Sequence, residues 1–228
     1  SFRLTADVFF EPERRKVSTI KLNENVIDDI KKAMKAYLSK LTFLQLSRRQ
    51  AILIVHLNRC ITDIERIGDH IDELCDISVR RSRILQARFE LPVLDLIFDL
   101  YQSAEKVMRL VIESLTPDNP DFQSLAEKIL NARNEYMEKS LNARSVFMEK
   151  ISQHQCPPIQ GVYFNEYLAC FDRIVKHAKT IALVEKQPYF WIKRKKLNNM
   201  AVEAPEYTPP ALADPRDFLD KLQGETYL

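Results

Sequence analysis

Apolar residues recur at alternating spacings of three and four through most of the chain, the mark of amphipathic helices. From about Glu13 to Leu41, the residues Val17, Ile20, Glu24, Ile27, Lys31, Met34, Leu38 and Leu41 keep this rhythm. They predict one long helix whose packing seam is interrupted by two charges, Glu24 and Lys31. A turn is expected around Thr42 to Ser47. Ser47 is read as the N-cap of the next helix, without a capping-box partner. That helix is expected to reach about Leu85, with Leu53, Leu57, Cys60, Ile64, Ile67, Ile71 and Leu74 as its seam. A helix of about 38 residues spans roughly 57 Å and needs partners along its length.

The same reading continues on either side. Residues 1–10 look like the end of a helix stopped near Pro12. Pro92 suits the first turn of a helix reaching Leu115. The run "TPDNPD", Thr116 to Asp121, predicts a turn. A long helix follows from Phe122 to about His154, "CPPIQG" breaks it, and a last helix is expected from Tyr163 to about Gln187. Beyond Pro188 the periodicity fails and prolines gather at 205, 209, 210 and 215, which reads as an extended or disordered tail with a short helix near Phe218. The fold class is therefore all-α.

Glu65-Arg-Ile-Gly-Asp-His70 is echoed by Asp172-Arg-Ile-Val-Lys-His177 at an offset of 107, and each lies on a long helix that follows another. The echo predicts two related helical bundles packed in tandem. The first covers residues 1–88, with its first helix short, the second covers 89–187, and a tail follows over 188–228.

Composition narrows the classes. The chain has 228 residues, only 3 glycines and a net charge of +2, so no overall field points to nucleic acid as a partner. The longest apolar run, Ala51 to Val55, is far short of a membrane span. The chain opens on Ser-Phe-Arg-Leu rather than Met and shows no signal pattern, the form of a fragment or a processed chain. Four scattered cysteines, with no CxxC, favour a reducing, cytoplasmic compartment and argue against a zinc–thiolate site. Neither a Gly-rich phosphate loop nor a nucleophile arrangement is present. Cys60 falls in the seam as a small buried residue. His70 and His177 are expected to be polar surface residues.

The charges themselves are patterned. Asn58, Thr62, Glu65, Asp69, Asp72 and Asp76 form a polar stripe beside the apolar seam, and like charges four apart on a helix repel by a few tenths of a kcal/mol per pair. Asp63 can reach Arg59 and Arg66, and Asp76 can reach Arg80. Glu65 has no cation three or four residues away on its own helix. The ordinary use of such a stripe is a solvated face, or one paired with cations from a neighbouring helix. The alternative is a carboxylate site for a hard or borderline metal. Glu24 and Asp28 offer a second acidic pair. Both pairs lie at similar distances from the turn that joins their helices, so a shared site at Glu24, Asp28, Glu65 and Asp69 is geometrically feasible.

These residues carry a resemblance. "DIERIGDHIDEL" is similar to the signature of PhoU-like proteins, matching at Glu65-x-x-x-Asp69, with Glu24-x-x-x-Asp28 as the companion motif. The junction from Ala36 to Ser47 resembles the PhoU-like domain of bacterial sodium–phosphate cotransporters more than stand-alone PhoU. The resemblance covers roughly residues 5–187. It implies tandem three-helix bundles and metal bound at the carboxylates, iron or zinc being the expected ions. It implies a non-enzymatic regulator of phosphate uptake at the inner, cytoplasmic face of the membrane. The implied partners are a transporter membrane domain or transport and signalling proteins, and homo-oligomerisation is left open. The second repeat departs from the motif, since Asp172-x-x-x-Lys176 is expected to form an i,i+4 ion pair. A di-iron carboxylate enzyme fits poorly, because Gly68 and Ile27 stand where Glu-x-x-His pairs need histidines. In the tail, Trp191, Lys193, Arg194, Lys195 and Lys196 suit contact with a membrane surface or a partner. Stacking on single-stranded nucleic acid is the alternative there.

Overall fold

A computed structural model describes residues 1–115 and 122–185. The expected turn over 116–121 and the tail carrying Trp191, Lys193, Arg194, Lys195 and Lys196 lie outside the described residues. Among the described residues the regular structure is helical throughout. It comprises α1 (Phe2–Phe10), α2 (Arg14–Leu41), α3 (Arg48–Ser82), α4 (Leu91–Ser114), α5 (Phe122–Ser152) and α6 (Pro158–Glu185), with a short 3₁₀ turn at Leu85–Ala87. None of these helices is long and apolar enough to cross a membrane.

Local chemistry sets the helix ends. Ser47 does not cap α3 unaided. Its hydroxyl accepts from the Gln50 N–H at 3.3 Å, and Gln50 Oε1 accepts from the Ser47 N–H at 2.8 Å. That is a complete capping box, and the sequence reading missed the glutamine three residues behind the cap. The start of α6 is also earlier than the expected Tyr163. Pro158 opens the helix, because a first turn has no use for the N–H that proline lacks. At the end of α5, His154 takes a left-handed conformation (φ 57°), which lets the Gln155 N–H close onto the Lys150 carbonyl at 3.0 Å.

Helices α1, α2 and α3 pack on one another, as do α4, α5 and α6, and the two bundles meet mainly along α3 and α6. One core runs through both. It includes Leu74 and Ile77 of α3, Leu100 and Val107 of α4, and Phe164 and Ile174 of α6. Phe147 stacks on Phe164 with ring centroids 4.0 Å apart. Helix α1 sits against the C-terminal end of α3, where the Arg81 guanidinium lies 4.4 Å over the Phe9 ring and donates to the Phe9 carbonyl. Arg81 also donates to the Tyr167 hydroxyl at 3.2 Å, tying α1, α3 and α6 into one junction.

Toward the α2–α3 turn the packing changes. Leu38, Ile54 and Ile61 form a separate small core between two helices only. Two expected seam residues are uncovered in this half of the hairpin: Met34 is 44% exposed and Ile64 is 38% exposed. The reason is length, since nine-residue α1 covers only the far end of α3. Where α2 and α3 do press together, Gly68 makes room. A Cβ there would stand 3.2 Å from the Ile27 Cδ1 methyl. This close approach sets the height at which the charges of the two helices meet.

Candidate functional site

The two interruptions in the α2 seam turn out to be the centre of the site. Glu65 is only 8% exposed, so its carboxylate needs a partner. The partner is Lys31, whose ammonium donates to Glu65 Oε1 and lies 3.4 Å from Asp28 Oδ1. These contacts hold the Lys31 ammonium above its usual pKa, the hydrogen bond to Glu65 first. Arg66 adds weaker contacts, 3.4 Å to Asp69 and 3.9 Å to Glu65. Lys21 lies 2.9 Å from Asp76 and 3.6 Å from Asp72. Thus α2 supplies the cations that α3 lacks.

Compensation is incomplete at two carboxyls. Among the described residues no ion pair reaches Glu24. Partial loss of hydration pushes its carboxyl above the usual range, and the neighbouring charges of Asp28, Asp72, Asp69 and Glu65 push it further. Asp72 is raised as well, by burial first, with Lys21 opposing and Asp76 and Asp69 adding to the rise. Its Oδ1 is buried and meets no hydrogen-bond partner. An open recess of about 480 Å³, bounded by Asp69, Asp72, Glu73, Asp76, Val79 and Arg80, adjoins this face.

The predicted quartet is therefore brought to one face, and Asp72 joins it. The donors are all carboxylate oxygens, which suits a hard or borderline cation. The uncompensated Glu24 and the orphaned Asp72 oxygen fit such an ion. Glu65 and Asp28 are held by Lys31, and among the described residues no three His, Cys, Asp or Glu side chains already converge as a ligand shell. A metal drawing on all four predicted residues would have to displace the Lys31 ammonium.

Two expectations about the remaining charges fail. Asp63 does not pair with Arg59 or Arg66. It is buried, and its Oδ1 lies 2.8 Å from His177 Nδ1 of α6. Asp63 faces α6 because it sits on the side of α3 that the second bundle covers. His70 and His177 are accordingly not free surface residues. Their rings stack at 5.8 Å between the bundles, and His70 Nδ1 lies 2.9 Å from Glu73. The symmetry of the sequence echo places the two histidines against each other.

The second repeat also differs from its expectation. Asp172 does not pair with Lys176. It accepts from Tyr136 at 2.8 Å and Ser140 at 3.0 Å, and it pairs with Arg144 at 2.5 Å. All three donors lie on α5 at spacings of four, so they form one stripe facing α6. Burial pushes the Tyr136 hydroxyl far above its usual pKa, with Asp172 adding to the effect, so Tyr136 serves as a permanent donor. The motif position of the second bundle is thus a satisfied hydrogen-bond network, whereas its counterpart Glu65, held by Lys31, stands on a face that also carries the under-compensated Glu24 and Asp72.

The PhoU domain family model matches residues 1–78, which take in α1, α2 and nearly all of α3. Among solved structures, the crystal structure of PhoU from Pseudomonas aeruginosa is similar with a TM-score of 0.60. The likeness covers 81% of this chain and 86% of that chain at 13% sequence identity. At that identity the likeness is one of fold. No curated protein matches the chain.

Proposed function

We propose that this chain is a non-enzymatic, metal-binding regulatory module of phosphate uptake. In this reading it is the cytoplasmic PhoU-like domain of a sodium-dependent phosphate cotransporter, or a partner to one. The observation that carries the proposal is the under-compensated acidic face between α2 and α3, inside the segment that the PhoU domain model matches. Glu24, Asp28, Glu65 and Asp69 would hold iron or zinc, with Asp72 beside them. The ion would supply positive charge on a face that otherwise repels phosphate. The chain's own residues prepare for this. Lys31 and Lys21 screen the face in the absence of metal, and Gly68 lets the two acidic helices approach.

A stand-alone PhoU-like signalling regulator is the second reading. The likeness to Pseudomonas aeruginosa PhoU over most of both chains favours it. Reading the gene upstream of Ser1 separates the two, since several apolar spans of about 20 residues belong only to the transporter. The functional test is sodium-driven uptake of labelled phosphate into membrane vesicles containing the transporter. Uptake is compared with the chain present, absent, or carrying Glu24→Gln and Asp69→Asn. The proposal expects the chain to alter uptake and the variant to behave as if the chain were absent. Uptake indifferent to the chain would remove the transporter assignment.

A further inference from the structure

The far end of the α2–α3 hairpin carries a second pattern. Between Ile30 and Thr62 the sequence has seven lysines and arginines and not one Asp or Glu. Lys31 and Lys32 work within the acidic site. Of the other five, Lys35, Lys40, Arg48 and Arg49 lie toward the turn, and Arg59 stands farther along α3. Arg48 and Arg49 occupy the first turn of α3, which contains no acidic residue. Cations there oppose the helix dipole. Among the described residues neither Arg48 nor Arg49 has an ion pair to offset this, which points to a demand from outside the helix itself.

The apolar residues beside these cations are uncovered. Phe43, at the tip of the turn, is 86% exposed, the highest value among the large apolar residues described. Leu44 and Tyr37 are exposed with it. The turn is not loose. The Thr42, Phe43 and Leu44 N–H groups donate to the carbonyls of Ser39, Lys40 and Leu41 at 3.1, 3.2 and 3.1 Å. The backbone is thus fixed with Phe43 and Leu44 held outward. Below the tip, Leu38, Ile54 and Ile61 form the hairpin's own small core.

An exposed aromatic and an exposed aliphatic residue, in a segment that carries cations and neither Asp nor Glu, complement the interface of an anionic bilayer. Phe and Leu enter the headgroup–acyl boundary while Lys and Arg meet anionic headgroups. We infer that the α2–α3 tip is a docking surface for anionic membrane lipid, with Phe43 and Leu44 inserted and Arg48 and Arg49 on headgroups. At 1.5 Å per residue this surface lies about 26 Å along the hairpin from Glu24 and Glu65. It is separate from the acidic site and does not depend on the phosphate reading.

The test is co-sedimentation of the full chain with vesicles of pure phosphatidylcholine, or with phosphatidylglycerol added, at low and high salt. Two variants are compared with wild type: Phe43→Ser with Leu44→Ser, and Arg48→Glu with Arg49→Glu. All four residues are exposed, and circular dichroism melts check that each variant folds. The inference expects salt-sensitive binding to the anionic vesicles only, with each variant weakening the partition coefficient at least about tenfold. It is overturned if the folded variants bind as wild type does, or if neutral vesicles bind equally well. It is also overturned if binding is lost only when Lys193, Arg194, Lys195 and Lys196 are replaced. Concentration-dependent dimerisation abolished by Phe43→Ser, without lipid binding, would assign the tip to a second copy of the chain instead.

Discussion

The residues that decide this site are those whose charges are unequally compensated. Glu24 and Asp72 have carboxyls raised by burial and by neighbouring carboxylates. A raised folded-state pKa means that the native chain binds more protons than the unfolded chain, in the window above the ordinary carboxylate range. Stability must therefore rise as pH falls through that window, and fall as pH climbs through it. Glu24→Gln removes Glu24's share of this slope. It is expected to stabilise the metal-free protein by about 0.5 kcal/mol at neutral pH and to show a smaller gain near pH 5. Urea unfolding at the two pH values checks this, and an equal gain at both would contradict the electrostatic origin. Lys31 is the complementary case. Lys31→Met leaves buried Glu65 without its main cation and should lower the melting temperature, while adding Glu65→Gln should restore much of the loss. A double mutant no more stable than Lys31→Met would show that the pair is not coupled. That Glu65 needs outside help was legible, because no cation stands three or four residues away on its own helix. The helper was legible only as a flaw in the α2 seam. Sequence spacing places Lys31 on the α3-facing side of its helix but does not say which carboxylate it meets.

At the scale of elements, the helices and their order follow from periodicity because each buries a continuous stripe. The errors fall where a second element decides the outcome. Ile64 has the spacing of a core residue, yet it is exposed because α1 stops short of it. Asp63 looked like a partner for surface arginines until α6 covered it and supplied His177. Helix α6 begins at Pro158, ahead of the expected Tyr163, because the two prolines that read as a break are well suited to a first turn. Tyr136, Ser140 and Arg144 share one face of α5 by their spacing, but only the packing of α5 on α6 gives that face its acceptor, Asp172. Arg81 is the most demanding junction, since it serves α1, α3 and α6 at once. Arg81→Met leaves the Phe9 carbonyl without its donor and the Tyr167 hydroxyl with Ser78 alone. It is expected to cost about 2–3 kcal/mol and to free α1 for proteolysis. Equal stability, with α1 still protected, would mean that the aromatic packing of Phe9 suffices.

Over the whole molecule, the two bundles repeat one design and use it differently. In the second, the motif carboxylate Asp172 is fully engaged by its neighbours on α5. In the first, the corresponding face keeps Glu24 without an ion pair among the described residues and Asp72 with an orphaned oxygen. That asymmetry is the reason for placing the functional chemistry in the first bundle. The most direct measurement is elemental analysis of the full chain after equilibrium dialysis against iron and, separately, zinc. Wild type is compared with Glu24→Gln/Asp69→Asn and with Asp172→Asn. The account predicts metal retained by wild type and by Asp172→Asn, and lost from Glu24→Gln/Asp69→Asn. Equal metal content in wild type and Glu24→Gln/Asp69→Asn, or none retained by wild type, would contradict it.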